Sequence, residues 1–132
     1  IDPFMAEFSY KFGIFGKKIL EKYGAKKLIP LGRLYWFTVE FGLINTAAGP
    51  RIYGAGFAPG EMVHALSDKV QKRSFNVDEV AHFGYRYDQM QDTLFVIDSF
   101  KDMVAQFDDW CARFDPEHDF GKNPPLDDAN IE

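Results

Sequence analysis

Cysteine is almost missing from this sequence. Cys111 stands alone, so no disulfide can form within the chain, and a reducing compartment, the cytoplasm, is the simplest expectation. No apolar run approaches the roughly 20 residues that span a bilayer, and no signal-peptide pattern opens the chain. An excess of basic charge is lacking too. The net charge is −5, and six acids from Asp115 onward (Asp115, Glu117, Asp119, Asp127, Asp128, Glu132) face only Lys122, which leaves the rest balanced. A neutral body does not offer the basic face that nucleic acid requires. Lys17, Lys18, Lys22, Lys26 and Lys27 form one local cluster, which fits a solvated helix face. The three histidines, His64, His82 and His118, form no pair at metal-binding spacing and no H-E-x-x-H. One cysteine excludes a zinc–thiolate cluster. No G-x-S-x-G elbow occurs, and Gly54-Ala55-Gly56 lacks the spacing of a phosphate loop.

Aromatic residues, by contrast, are abundant. Hydrophobic residues make up 46% of the chain and aromatics 17%, with 14 Phe, which is too rich for a disordered segment and suits one folded core. Asp2-Pro3 reads as a helix start, and Phe4, Phe8 and Phe12 recur at helical spacing up to Gly13. A second short helix is expected over residues 17–23, with Phe15, Ile19, Leu20 and Tyr23 as its stripe. Pro30 begins a central helix expected to run to about Gly42. The turn cluster at 45–50 joins residues 43–44 to 51–53 as an antiparallel ribbon. Pro59 starts another helix to about Leu66, with Glu61 in its first turn. Residues 68–74 are polar and expected to be loop. Asn76 caps a short helix over 77–82 that ends at Gly84. Strands are expected at 85–87 and 94–97, joined through 89–93. Asp98-Ser99 caps the clearest helix, with Phe100, Met103, Val104, Phe107, Cys111 and Phe114 on one face. That placement makes Cys111 a packing residue rather than a nucleophile. The expected division is a folded unit over 1–114 and an acidic, mobile tail over 115–132.

Residues 33–44 are the most unusual stretch. They read Arg-Leu-Tyr-Trp-Phe-Thr-Val-Glu-Phe-Gly-Leu-Ile, and between Leu34 and Ile44 only Glu40 carries a side chain charged at neutral pH. In a helix, the residues three and four positions from Glu40 are Trp36, Phe37, Leu43 and Ile44. A carboxylate among apolar groups must be neutralised, hydrogen-bonded, paired or bound to a metal. Spacing alone leaves open a structural Glu bonded to backbone or Arg, and a functional one. Gly54-Ala55-Gly56 carries little side chain, so a backbone or ligand can approach closely there. Glu40 and Glu61 could form an acid–base pair, although a separation of 21 residues sets no geometry.

The same stretch, followed by Arg51-Ile52-Tyr53-Gly54-Ala55-Gly56, resembles the pterin-dependent aromatic amino acid hydroxylases, in particular their bacterial, phenylalanine-hydroxylating type. The segments around residues 2–8, Tyr85-Arg86-Tyr87 and residues 95–100 agree in order and spacing. The resemblance covers about residues 2–107. It implies an α+β, mainly α fold: part of the family's catalytic domain, built of helices with short antiparallel strand pairs. It implies a monooxygenase that uses Fe(2+), tetrahydrobiopterin and O2 to convert L-phenylalanine to L-tyrosine. It implies Glu40 as the carboxylate of a two-His-one-carboxylate iron site. Gly32 and Tyr35 then line the pterin pocket, Trp36, Phe41 and Gly56 surround the substrate ring, and Glu61 lies near the site as a supporting or substrate-contacting residue.

The family's pair of histidine ligands, His-x-x-x-x-His, is expected just before residue 1. The chain therefore resembles the C-terminal half of such an enzyme, with the N-terminal half as its partner, and an opening on Ile1 rather than Met agrees with that. After Gly56 the family usually carries two apolar residues and Ser-Ser, whereas here Phe57-Ala58 runs straight into Pro59-Gly60-Glu61. No heptads follow Phe114, so a monomer of the bacterial type is expected. The alternative reading is a catalytically dead remnant that binds an aromatic ligand or a partner protein.

Overall fold

A computed structural model of the chain describes residues 3–85 and 90–116. The expected cap at Asp2, the strand residues Arg86 and Tyr87, the start of the 89–93 connection, His118 and the tail beyond Pro116 lie outside these described residues.

The chain opens with one long helix, α1 (Pro3–Tyr23), followed by a 3-10 turn (Ala25–Leu28) and the helix α2 (Ile29–Tyr35). This corrects the expected break at Gly13. Phe8, Phe12 and Phe15 share one face of α1 across the glycine. All three pack on Phe107 of the last helix, with ring centroids 5.0, 5.9 and 6.4 Å away. A helical glycine costs about 1 kcal/mol, whereas burying a side chain such as Phe8 or Ile19 contributes about 1.5–3 kcal/mol. Packing therefore carries the helix through Gly13. Gly24, at φ +93°, ends it instead.

The remaining elements are β1 (Leu43–Thr46), β2 (Gly49–Ile52), α3 (Pro59–Ala65), β3 (Gln71–Ser74), α4 (Val77–Ala81), β4 (Thr93–Ile97) and α5 (Phe100–Arg113). The mainly helical α+β class holds. The expectation of antiparallel strand pairs is only partly met. β1 and β2 form the expected ribbon, with Leu43 opposite Ile52, and Gly49 takes φ +101° at its turn. β4, however, lies parallel to both of its neighbours in a mixed sheet of order β2-β1-β4-β3. β3 occupies part of the 68–74 stretch expected as loop. Its residues Gln71, Lys72, Arg73 and Ser74 are polar because it is an edge strand, and the buried Val70 and Phe75 anchor its ends. Tyr85 is buried but belongs to no strand.

The caps agree with expectation. Asn76 Oδ1 accepts from Glu79 N–H at 3.1 Å, and Ser99 Oγ accepts from Asp102 N–H at 3.0 Å. On α5 the buried stripe is Met103, Val104, Phe107 and Trp110, with Cys111 and Phe114 half-buried beside it. No described helix is long and apolar enough to cross a membrane.

Candidate active site

α2 does not end as a plain helix. From Trp36 to Glu40 it widens into a π turn, and Phe41 N–H donates to Trp36 O at 2.9 Å. Such turns cluster at functional sites. The wider register brings the Trp36 and Phe41 rings together, with centroids 4.7 Å apart, and Trp36 stacks on Tyr85 at 4.2 Å and 10°. Phe37 turns the other way and is buried in the core. Thr38, also buried, donates its hydroxyl to Leu34 O at 2.6 Å. A later helix, α4, is tied to α2 through the buried Arg33, whose Nη1 donates to Ala81 O at 3.1 Å.

Glu40 closes the π turn. The sequence pattern suggested an enclosed carboxylate, but Glu40 is half-buried and faces a groove of about 730 Å³. Gly32, Tyr35, Trp36, Phe41 and Tyr85 line the same groove, together with the Gly13–Gly16 side of α1. No described residue hydrogen-bonds to or ion-pairs with the Glu40 carboxylate. The structural reading, a Glu satisfied by backbone or Arg, therefore finds no support in its contacts. Trp36 Nε1 is buried and also lacks an acceptor.

Residues 54–56 are clamped along the end of this turn. Ala55 N–H donates to Val39 O at 2.9 Å, and Gly56 N–H donates to Glu40 O at 2.8 Å. A Cβ on Gly56 would fall 2.4 Å from Glu40 Oε2 and 3.1 Å from Phe41 Cζ. The close approach expected at Gly54-Ala55-Gly56 is thus made by the backbone of Glu40 itself.

Five of the seven residues singled out from sequence (Gly32, Tyr35, Trp36, Glu40, Phe41) share the groove, and Gly56 touches Glu40. Glu61 stands apart, on the far side of Phe41, in a small hollow with Phe57 and His64. Its Oε1 accepts from Ala58 N–H at 3.0 Å, so this carboxylate caps α3. Sequence reasoning missed Tyr85 and Phe12 as site residues. Phe12 reaches Tyr35 with centroids 5.1 Å apart. Tyr85 carries only its place in the Tyr85-Arg86-Tyr87 segment and Phe12 only its helical spacing, since each meets the site through folding.

His64 Nε2 lies 3.3 Å from Gln91 O, and His82 Nδ1 lies 2.8 Å from Asp78 O. Among the described residues no three His, Cys, Asp or Glu side chains converge as a metal site. In the groove, Glu40 offers an oxygen donor that no described residue engages, of the kind a ferrous ion takes, so the donor chemistry fits one arm of an iron site. Burial pushes the Cys111 thiol up to about 12, reinforced by the charge of Asp108, which keeps it protonated and inert.

A helix ending in a π turn, a carboxylate that no described residue engages and a groove of aromatic rings thus come together at one place. The chain belongs to the biopterin-dependent aromatic amino acid hydroxylases, whose family profile matches residues 1–129. It is 45% identical over 101 residues to phenylalanine-4-hydroxylase of Caulobacter vibrioides, a match covering 74% of this chain and 33% of that protein. It is 34% identical to tyrosine 3-monooxygenase of Drosophila melanogaster, over 98% of this chain and 22% of that protein. The iron- and phenylalanine-bound crystal structure of phenylalanine hydroxylase from Chromobacterium violaceum superposes with a TM-score of 0.75 at 38% identity. That superposition covers 86% of this chain and 44% of the other. The chain thus spans about a third of the length of the bacterial relatives it matches.

Proposed function

We propose that this chain supplies the carboxylate arm and the aromatic walls of an iron- and tetrahydrobiopterin-dependent monooxygenase that hydroxylates L-phenylalanine to L-tyrosine with O2. The Glu40 carboxylate carries the reading, because it opens on an aromatic groove and no described residue engages it, which leaves its oxygens free to take a cation. The whole enzyme is proposed to be a cytoplasmic monomer in which two histidines outside residues 1–132 complete the metal site. Bound there, Fe(II) and the reduced pterin supply the activation of dioxygen.

The chain's own residues do the positioning. Glu40 would hold the metal through its carboxylate. Gly32 leaves a flat opening beside the Tyr35 ring for the pterin. Trp36, held by Tyr85, and Phe41 flank the substrate ring and keep water from it, and Gly56 leaves the room in which the carboxylate beside that ring sits. Glu61, engaged in capping α3, acts by holding this wall in place.

The test is anaerobic Fe(II) titration of the whole enzyme and its Glu40→Gln variant, with tyrosine formation followed in parallel. Tight binding in wild type and a loss of more than about 100-fold in the variant is the expected result, beyond the 10–100-fold typical of supporting residues. Equal Fe(II) affinity in both would defeat the proposal. The isolated chain, with one donor, is expected to bind Fe(II) only weakly.

A further inference from the structure

We propose that Phe57 is a positioning residue that sets which aromatic ring the groove accepts, by fixing Phe41 from behind; this rests on the hydroxylase reading above. The chain on both sides of Phe57 is pinned. Before it, Gly56 N–H donates to Glu40 O at 2.8 Å, and a side chain at 56 would collide with Glu40. After it, Ala58 N–H donates to Glu61 Oε1 at 3.0 Å, Ala58 O accepts from Met62 N–H at 3.0 Å, and Pro59 opens α3. A single residue between two anchors has little freedom in direction. Its ring meets Phe41 edge to face, with centroids 5.0 Å apart and planes at 90°.

Phe41 is the partition at this point. One side faces the groove beside Glu40 and Trp36, and the other faces the hollow that holds Phe57, Glu61 and His64. That hollow, about 10 Å³, has room for no more than a single water. With Phe57 in place, Phe41 cannot retreat from the groove, so its ring bounds the space beside Trp36 on this side. Without the Phe57 ring, Phe41 can move back and the groove deepens enough for a bicyclic ring. Glu61 contributes indirectly, since its cap holds the Ala58 anchor.

The experiment compares wild type, Phe57→Leu and Phe57→Ala in the whole enzyme, with L-phenylalanine and L-tryptophan as competing substrates. In Phe57→Ala the kcat/KM ratio of phenylalanine to tryptophan is expected to fall about tenfold, the order that small changes in an apolar pocket produce. The change should lie mainly in KM. Phe57→Leu should shift the ratio the same way by about threefold, and it decides alone if Phe57→Ala does not fold. An unchanged ratio in folded variants of an active enzyme overturns this inference and leaves the hydroxylase reading standing. If wild type turns over neither amino acid, the hydroxylase reading fails. Calorimetric dissociation constants for the two amino acids then decide the role of Phe57: a shifted ratio supports it, and an unchanged ratio or no binding overturns it.

Discussion

Gly56 and Glu40 are joined twice: the glycine N–H donates to the glutamate carbonyl at 2.8 Å, and its missing Cβ leaves room for Oε2 of the same residue. A methyl group at 56 would sit 2.4 Å from that oxygen, so backbone and carboxylate cannot both keep their places. Gly56→Ala is therefore expected to push the carboxylate aside and destabilise the fold by about 1 kcal/mol, the low end of the cost of overpacking. Urea unfolding measures this. An unchanged midpoint would mean that the carboxylate swings aside freely.

Gly32 presents the opposite case. It lies inside α2, and a Cβ there meets nothing within 4 Å. Gly32→Ala should stabilise the chain by up to about 1 kcal/mol through helix propensity alone. In the whole enzyme the same methyl would project into the proposed pterin pocket. A higher melting temperature with a raised KM for tetrahydrobiopterin is the expected combination. A raised melting temperature with unchanged pterin kinetics would remove Gly32 from the site.

Phe107 holds α5 to α1. It is 1% exposed and contacts Phe8, Phe12, Phe15 and Trp110 by ring pairs at 5.0 to 6.4 Å. Phe107→Ala should cost about 3–5 kcal/mol. The break would fall in α1, because packing on Phe107 is what carries that helix through Gly13. Hydrogen exchange near Gly13 should accelerate more than exchange in β4.

Cys111 sets an alkaline limit. Its thiol is pushed from 9.0 to about 12, first by burial and then by Asp108. A raised folded-state value gives stability that is fully present below pH 9 and is lost as pH rises through about 12. Wild type should therefore lose stability across that window faster than Cys111→Ser. Iodoacetamide should label the native thiol far more slowly than the unfolded one at pH 8.

Much of this architecture is written in contiguous residues. The cap at Ser99 and the α5 stripe, the ribbon turning at Gly49, the Pro59 start of α3 and the motif around Glu40 depend on neighbours a few positions away. Periodicity and capping chemistry therefore reveal them. Glu40 also stood out because a charge in an apolar run demands compensation.

Other features were decided only when distant segments met. α1 runs through Gly13 because α5 offers Phe107 and Trp110. β3 is a strand because β4 pairs with it, although its own residues show no apolar alternation. The Tyr85 ring reaches Trp36, and Glu61 becomes a cap beyond Phe41 rather than a neighbour of Glu40. The sequence alone singled out Glu40 and the aromatic residues around it as candidates. The tertiary structure decided which of them share a groove, because long-range packing depends on partners that no local pattern contains.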